Sequence, residues 1–312
     1  MRLGAIEAGG TKVVCLVGSD PDHIVAQTRI PTGEPTRTLD QVVDFFREQM
    51  AVGGPMTAFG IASFGPVELR LAHPRYGFIT SSPKPGWADV DMVGPIRRAF
   101  GGPVGFDTDV NGAALGEGRW GAAHGLGTFV YLTVGTGIGA GAVIDGRIAH
   151  GLVHPEMGHV SVPRQPGDDF PGGCPFHGDC WEGMASGVAM AARWGRPAEQ
   201  LDGAESRAAI ELEAAYLAAG LRNIVYTIAP QRIVIGGGVA ALPGLFPQVR
   251  ARLVEMLFGY PGVPEHGADD FIVPAALGPL AGPAGALVLA DRAAALSQAT
   301  SAGTTSASAP AP

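Results

Sequence analysis

The sequence predicts an α/β fold made of two related domains. A strand, a Gly/Thr turn and a second strand occur twice, at residues 3–18 and again at 129–144. Duplication of a supersecondary unit points to duplicated domains facing one cleft. Strand-like runs also alternate with segments whose apolar residues recur at helical spacing, the pattern of α/β architecture. The length of 312 residues is more than a single core commonly fills, which is about 250–300 residues.

The elements follow in order. Leu3–Glu7 and Lys12–Gly18 read as strands joined by the tight turn Ala8-Gly9-Gly10-Thr11, a β-hairpin, with a third strand near 24–30. Leu39, Val42, Val43, Phe46 and Met50 give helical spacing over 37–51, with Thr36 or Thr38 as its cap. Ala58–Ala62 is a strand, 63–90 a Gly- and Pro-punctuated loop, 91–100 a short helix and 104–106 a strand. In the second half, 111–120 is helical, 129–134 and 140–144 are strands, helices follow at 183–194, 203–228 and 246–257, and a strand runs over 232–235. A last helix covers 280–295. Residues 297–312 contain only Ser, Gln, Ala, Thr, Gly and Pro, a composition read as a disordered tail. The expected division is a small domain over 1–107, rejoined by the helix 280–295, and a large domain over 108–279 that carries a metal-binding loop.

Composition narrows the function classes. Twenty-one Lys and Arg stand against 29 Asp and Glu, a formal charge of −8, with no basic block to meet nucleic acid or an anionic membrane. No apolar run reaches the ~18 residues of a membrane span. The start, Met-Arg-Leu-Gly, runs into a strand without a signal-peptide pattern. Three cysteines are an odd number and too few for a disulfide scaffold, so the expected compartment is the cytoplasm. Forty-eight glycines and 26 prolines lie between apolar runs, where glycine lets backbone approach a ligand closely.

Four motifs carry chemistry. Gly9-Gly10-Thr11-Lys12 and Gly135-Thr136-Gly137-Ile138-Gly139 offer backbone N–H groups, hydroxyls and a cation, and such turns can cradle phosphate. Neither is a Walker A loop, since Gly-Lys-Ser/Thr is missing, and each alone could be an ordinary hairpin turn. Gly236-Gly237-Gly238 after a strand adds a third candidate. Asp107-Thr108-Asp109-Val110-Asn111 lies between a strand and a helix. A carboxylate there can take a proton from a hydroxyl nucleophile, as phosphoryl transfer requires. The plainer reading is helix capping, and both coexist if one acid caps while Asp109 faces the cleft. Cys174-Pro-Phe-His177-Gly-Asp-Cys180 with His159 forms a tetrahedral zinc set with no open position, hence structural. His154 competes as the fourth ligand, and free thiols with a surface histidine are the alternative. Glu156, His159 and Glu182 converge near that loop, as partners for sugar hydroxyls or as solvated surface groups.

Together these motifs resemble the ROK family (repressor, open reading frame, kinase) of sugar kinases. Glu7-Ala-Gly-Gly-Thr-Lys12, Asp107–Asn111, Thr133–Gly139, Glu156-Met-Gly-His159 and the Cys174–Cys180 cluster stand in the family's order. Ser63-Phe-Gly-Pro66 and Ser82-Pro-Lys-Pro-Gly-Trp87 are similar to the bacterial fructokinase branch. The resemblance implies an actin-like ATPase fold, with two ribonuclease-H-like domains around a cleft. It implies Asp109 as general base, and Gly9, Gly10, Thr11, Lys12, Thr136 and Gly137 on the ATP phosphates. Gly236, Gly237 and Gly238 would lie near the adenosine. Gly65, Asp109, Glu156, His159 and Glu182 would contact the sugar. His159, Cys174, His177 and Cys180 would bind Zn²⁺, and Mg²⁺ would accompany ATP, with Glu7 acting through metal-bound water.

The activity so implied is phosphorylation of a hexose at its 6-hydroxyl, D-fructose first. Two residues depart from the glucokinase pattern: Glu7 stands where many members have Asp, and Thr108 where glucokinases have Asn. The alternatives are a kinase for mannose, glucose or an N-acetylated hexosamine, a non-catalytic sugar sensor, and a zinc hydrolase. A sensor of the repressor type needs a helix-turn-helix before the first hairpin, and that hairpin begins at residue 3. The family resemblance also suggests a homodimer.

Overall fold

A computed structural model describes residues 1–305. Its chain divides into two compact units. One holds Met1–Arg119, His150–His154 and the described residues from Leu280 on, and the other holds Trp120–Ala149 and Pro155–Pro279.

The first unit is built on a five-stranded sheet of β1 (Leu3–Ala8), β2 (Lys12–Gly18), β3 (Ile24–Pro31), β4 (Ala58–Ser63) and β5 (Val104–Thr108). Their order is β3-β2-β1-β4-β5. The first three strands form an antiparallel meander, while β4 and β5 join parallel to β1. Helix α1 (Pro35–Gly53) lays Leu39, Val42, Val43 and Phe46 into the core. Its cap is Glu34 and neither threonine: the Glu34 carboxylate accepts from Thr36 N and Arg37 N at 3.0 and 2.8 Å, and Pro35 opens the first turn. Helix α2 (Gly94–Phe100) begins three residues later than its sequence pattern suggests, because Asp91 Oδ1 accepts the Gly94 N–H at 2.7 Å and ends the preceding loop. Trp87 is the bulkiest anchor of the 63–90 loop, fully buried, with its indole N–H donated to Gly33 O at 2.9 Å.

The second unit repeats this plan. Strands β6 (Phe129–Val134), β7 (Ile138–Ile144), β8 (Arg147–Ile148), β9 (Arg232–Gly236) and β10 (Ile272–Pro274) are ordered β10-β9-β6-β7-β8. Again three strands form an antiparallel meander and two more join parallel to its first member. The repeated topology is that of ribonuclease-H-like units and of the actin-like ATPase fold. The two-residue β8 and the three-residue β10 carry too little pattern to be read from sequence.

Helices α6 (Gly203–Ile228) and α7 (Leu245–Leu257) pack together in this unit and close a core that includes Leu132, Ile233, Tyr216, Leu217 and Leu253. The stretch read as one helix over 183–194 is two, α4 (Trp181–Ala185) and α5 (Gly187–Trp194). Ser186 is extended between them and caps α5 through its hydroxyl, which accepts the Ala189 N–H.

Helix α3 (Asp109–Trp120) sets the boundary between units near Arg119 and not at 107. It crosses the C-terminal helix α8 (Ala281–Thr305) at glycines: a Cβ on Gly116 would overlap Ala281 O, and one on Gly285 would overlap Gly112 O. Arg119 also pairs with Asp291 at 2.7 Å. α8 lies on β1, β4 and β5, close enough that side chains at Gly60 and Gly105 would strike its backbone. The helix extends through Ser297–Thr305, a segment expected to be tail. Alanine propagates a helix already nucleated by packing. The rest of the expected tail, 306–312, lies outside the described residues.

Candidate functional site

In the first unit the β1–β2 turn is fixed by its own backbone. Gly9 N donates to Lys12 O at 2.9 Å, Thr32 N to Thr11 O at 3.0 Å, and Thr32 Oγ1 to Gly9 O at 2.8 Å. Gly10, Thr11 and Lys12 are exposed, and a Cβ built on Gly10 would meet nothing within 4 Å. The turn therefore offers an open cradle of backbone.

Glu7, at the end of β1, has its carboxyl raised to about 7 by burial and by the negative charge of Asp109, against a smaller opposing pull from Lys12. Asp109 opens α3 and is raised to about 6, chiefly by burial, while its bond from Val110 N at 2.9 Å pulls the other way. Two carboxyls that repel each other beside a lysine suit a divalent cation with phosphate.

The helix cap here is Thr108 and not an acid: its Oγ1 accepts the Asn111 N–H at 3.1 Å. Asp107 is a buried hub. Its Oδ1 accepts from Thr108 N at 2.8 Å and from Asn111 Nδ2 at 2.7 Å, and Nε2 of His150 lies 3.1 Å from Oδ2. Donating to the Asp107 carboxylate raises the His150 pKa above its usual value. Gly65 lies against the His154 ring, and His154 Nε2 accepts the Val67 N–H at 3.1 Å, so His154 is occupied and is not a metal ligand.

In the second unit the β6–β7 turn has the same build. Gly135 N donates to Gly137 O at 2.9 Å, Thr136 is exposed, and the space beside Gly135 is open. After β9, Gly237 has φ +91° and lies against the Val134 carbonyl, where any side chain would overlap. Gly236 faces the Tyr131 hydroxyl, and Gly238 is open.

His159, Cys174, His177 and Cys180 present ligand atoms within 4.8 Å of one another. Nδ1 of His159 is 3.7 Å from Cys174 Sγ and 3.5 Å from Cys180 Sγ, and His177 Nδ1 is 3.8 Å from Cys174 Sγ. With Zn–S ≈ 2.3 Å and Zn–N ≈ 2.0–2.1 Å, a tetrahedral S···N edge is about 3.5 Å, and these three separations lie close to it. Reciprocal Cys174–Gly178 backbone bonds at 3.1 and 3.0 Å, with Gly178 at φ +64°, fold the knuckle that presents His177.

Of the proposed sugar contacts in this unit, Glu156 is exposed at the start of the 3-10 turn Met157–His159, and Glu182 is half-buried on α4. Glu182 Oε2 accepts the Ile138 N–H at 3.0 Å, so Glu182 is not a merely solvated acid.

The model that describes the ROK family matches residues 3–293. The chain belongs to the ROK family. It is 47% identical over 292 residues to the fructokinase of Zymomonas mobilis, covering 92% of this chain and 95% of that one. It is 41% identical to the fructokinase of Pediococcus pentosaceus, over 94% of this chain and 99% of the other. The ROK hexokinase of Thermus thermophilus superposes with TM-score 0.75 at 28% identity, covering 94% of this chain and 98% of that one. The ROK glucokinase of Streptomyces griseus, solved with glucose and AMPPNP, gives TM-score 0.73 at 25% identity over 94% and 100% of the two chains.

Sequence reasoning about this ROK chain missed His150 and the buried set Asp168, Arg193 and Tyr216. Arg193 pairs with Asp168 through two bonds of 3.2 and 3.1 Å, and Tyr216 OH donates to Asp168 at 2.5 Å. These partners are far apart in the chain, and no local spacing signals them. Among the described residues, no helix is long and apolar enough to cross a membrane.

Proposed function

We propose that this ROK protein transfers the γ-phosphoryl group of ATP to the 6-hydroxyl of a hexose, with D-fructose the preferred substrate. The observation that carries the reading is its 41–47% identity to fructokinases across more than nine-tenths of the chain. Asp109 supports the chemistry: an acid at the start of α3, poised at about 6, accepts the hydroxyl proton as the oxygen attacks.

The fit of ATP rests on the open backbone at Gly10, Gly135 and Gly238. Gly9, Gly10, Thr11, Lys12, Thr136 and Gly137 bind its phosphates, and Gly236, Gly237 and Gly238 lie beside its nucleoside. Mg²⁺ arriving with ATP supplies charge neutralisation, and Glu7 is the carboxylate suited to orient its water shell. Gly65, Glu156, His159 and Glu182 orient the sugar. The Cys174/Cys180/His159/His177 set holds a structural Zn²⁺ that stiffens the loop presenting His159 and Glu182. Three free cysteines, two of them zinc thiolates in this reading, suit the reducing cytoplasm.

Preference for fructose over glucose is supported by Thr108. Its hydroxyl is committed to capping α3, and no amide side chain stands beside Asp109 at that position.

The test is a panel of fructose, glucose, mannose and N-acetylated hexosamines with ATP and Mg²⁺, read by coupled ADP release. Fructose is expected to give the highest kcat/KM. A higher value with another hexose overturns the specificity, and ADP release with none of them overturns the activity.

A further inference from the structure

Glu182 makes a contact that a sugar-binding acid does not need. It sits in the first turn of α4, two residues after Cys180, and its Oε2 accepts the backbone N–H of Ile138 at 3.0 Å. Ile138 is the residue that closes the Gly135–Gly137 turn. A Cβ on Gly137 would come within 2.5 Å of the same oxygen, so the carboxylate lies against the turn and glycine is what makes room for it.

Two further contacts grip the turn from the same side of the chain. Gly187 N, at the start of α5, donates to Gly135 O at 2.7 Å, and Gly158, next to His159, abuts the Ile138 carbonyl so closely that any side chain there would overlap it. The elements that carry His159 and Glu182 therefore meet the phosphate turn at one residue, Ile138. Oε1 of Glu182 has no hydrogen-bond partner among the described residues.

We infer that Glu182 couples the hexose site to the nucleotide-phosphate turn, with Oε2 holding the turn at Ile138 and Oε1 left for a sugar hydroxyl. The inference rests on the reading of this chain as a hexose kinase. A glutamate side chain loses rotamer freedom when it is fixed. Oε2 already holds the Ile138 N–H, so carboxylate and turn move as one unit; sugar on Oε1 and nucleotide on the turn each restrict that unit, and whichever arrives first bears the loss. The second ligand then binds a side chain already ordered, and the two sites favour each other reciprocally. Glu182 acts on the nucleotide as a positioning residue, through the Ile138 N–H.

The experiment is calorimetric titration of fructose into the full, zinc-loaded chain, with and without saturating Mg²⁺ and a non-hydrolysable ATP analogue. Wild type is expected to bind fructose about fivefold or more tightly with the analogue present. Glu182→Ala should weaken fructose binding and bring that ratio to about one. Weaker fructose binding with the wild-type ratio kept would make Glu182 a sugar contact only and overturn the inference. If the alanine variant does not fold, Glu182→Gln serves: its amide oxygen can still hold Ile138, so the ratio should stay above one while fructose binding weakens. A glutamine variant with weaker fructose binding and a ratio of one would overturn the inference. Wild type that phosphorylates fructose with a ratio of one refutes the coupling alone, whereas wild type that neither binds nor phosphorylates any hexose refutes the functional reading itself.

Discussion

Nε2 of His150 lies 3.1 Å from Oδ2 of Asp107, joining residues 43 apart in sequence. Asp107 also holds Thr108 N and Asn111 Nδ2, so this one carboxylate fixes the strand-to-helix step that presents Asp109. His150→Ala should lower kcat several-fold with a smaller change in the KM for sugar, and His150→Gln, which can still donate to Asp107, should recover most of the loss. Equal kcat in all three proteins would show that the pair does not position the base. The stability it lends depends on pH. The folded-state pKa of His150 lies above the usual 6.5, so its stabilisation is full below pH 6.5 and fades as pH rises through the folded value. The stability gap between wild type and His150→Gln, measured by urea titration, should therefore shrink from pH 6 to pH 9.

Asp109 should oppose activity to stability. As base it must be ionised, so kcat/KM should fall as pH drops through about 6. Its folded pKa is above the usual 3.8, so the folded chain holds the extra proton between those values and this group's contribution to stability declines as pH rises across them. Asp109→Asn should lose at least ~10² in kcat and melt at a higher temperature at pH 8. Near-normal turnover, or a lower melting temperature, would count against the assignment.

The metal prediction is one zinc per chain by elemental analysis. Cys174→Ser and Cys180→Ser should lose the metal together with thermal stability, since zinc binding adds directly to folding free energy. Purified wild type that is fully stable without bound metal would refute it.

The Arg193–Asp168 pair is buried, with side chains 9% and 6% exposed, and Tyr216 completes it. It ties the segment before Cys174 to α5 and α6. Arg193→Ala strands a buried carboxylate and should cost about 3–5 kcal/mol in urea denaturation. A loss below about 1 kcal/mol, the range of an exposed pair, would mean the pair is solvated.

Much of this protein is local in character, and that part was legible in the chain. The strands β1, β2, β6 and β9 and the helices α1, α6 and α7 follow from apolar periodicity, because burial of one face is written at a fixed spacing. Asp109, the two Gly/Thr turns and the Cys174–Cys180 knuckle each lie within a short stretch of chain, so the groups they present could be read from neighbouring residues. Capping was less legible: the sequence offers Thr36 and Thr38, and the fold uses Glu34, because Pro35 sets where the first turn begins.

Tertiary structure decided what depends on residues distant in sequence. That α3 belongs with the first unit follows from glycines of α3 and α8 meeting face to face, a contact spanning most of the chain. The same holds for His150 on Asp107, His154 on Val67 in place of metal, and Glu182 on Ile138. The sequence by itself determined the longer elements and the chemical groups they carry. Which of those groups share a hydrogen bond is set only when packing brings separated segments within 3 Å, because hydrogen bonding is short-ranged and leaves no periodic trace along the chain.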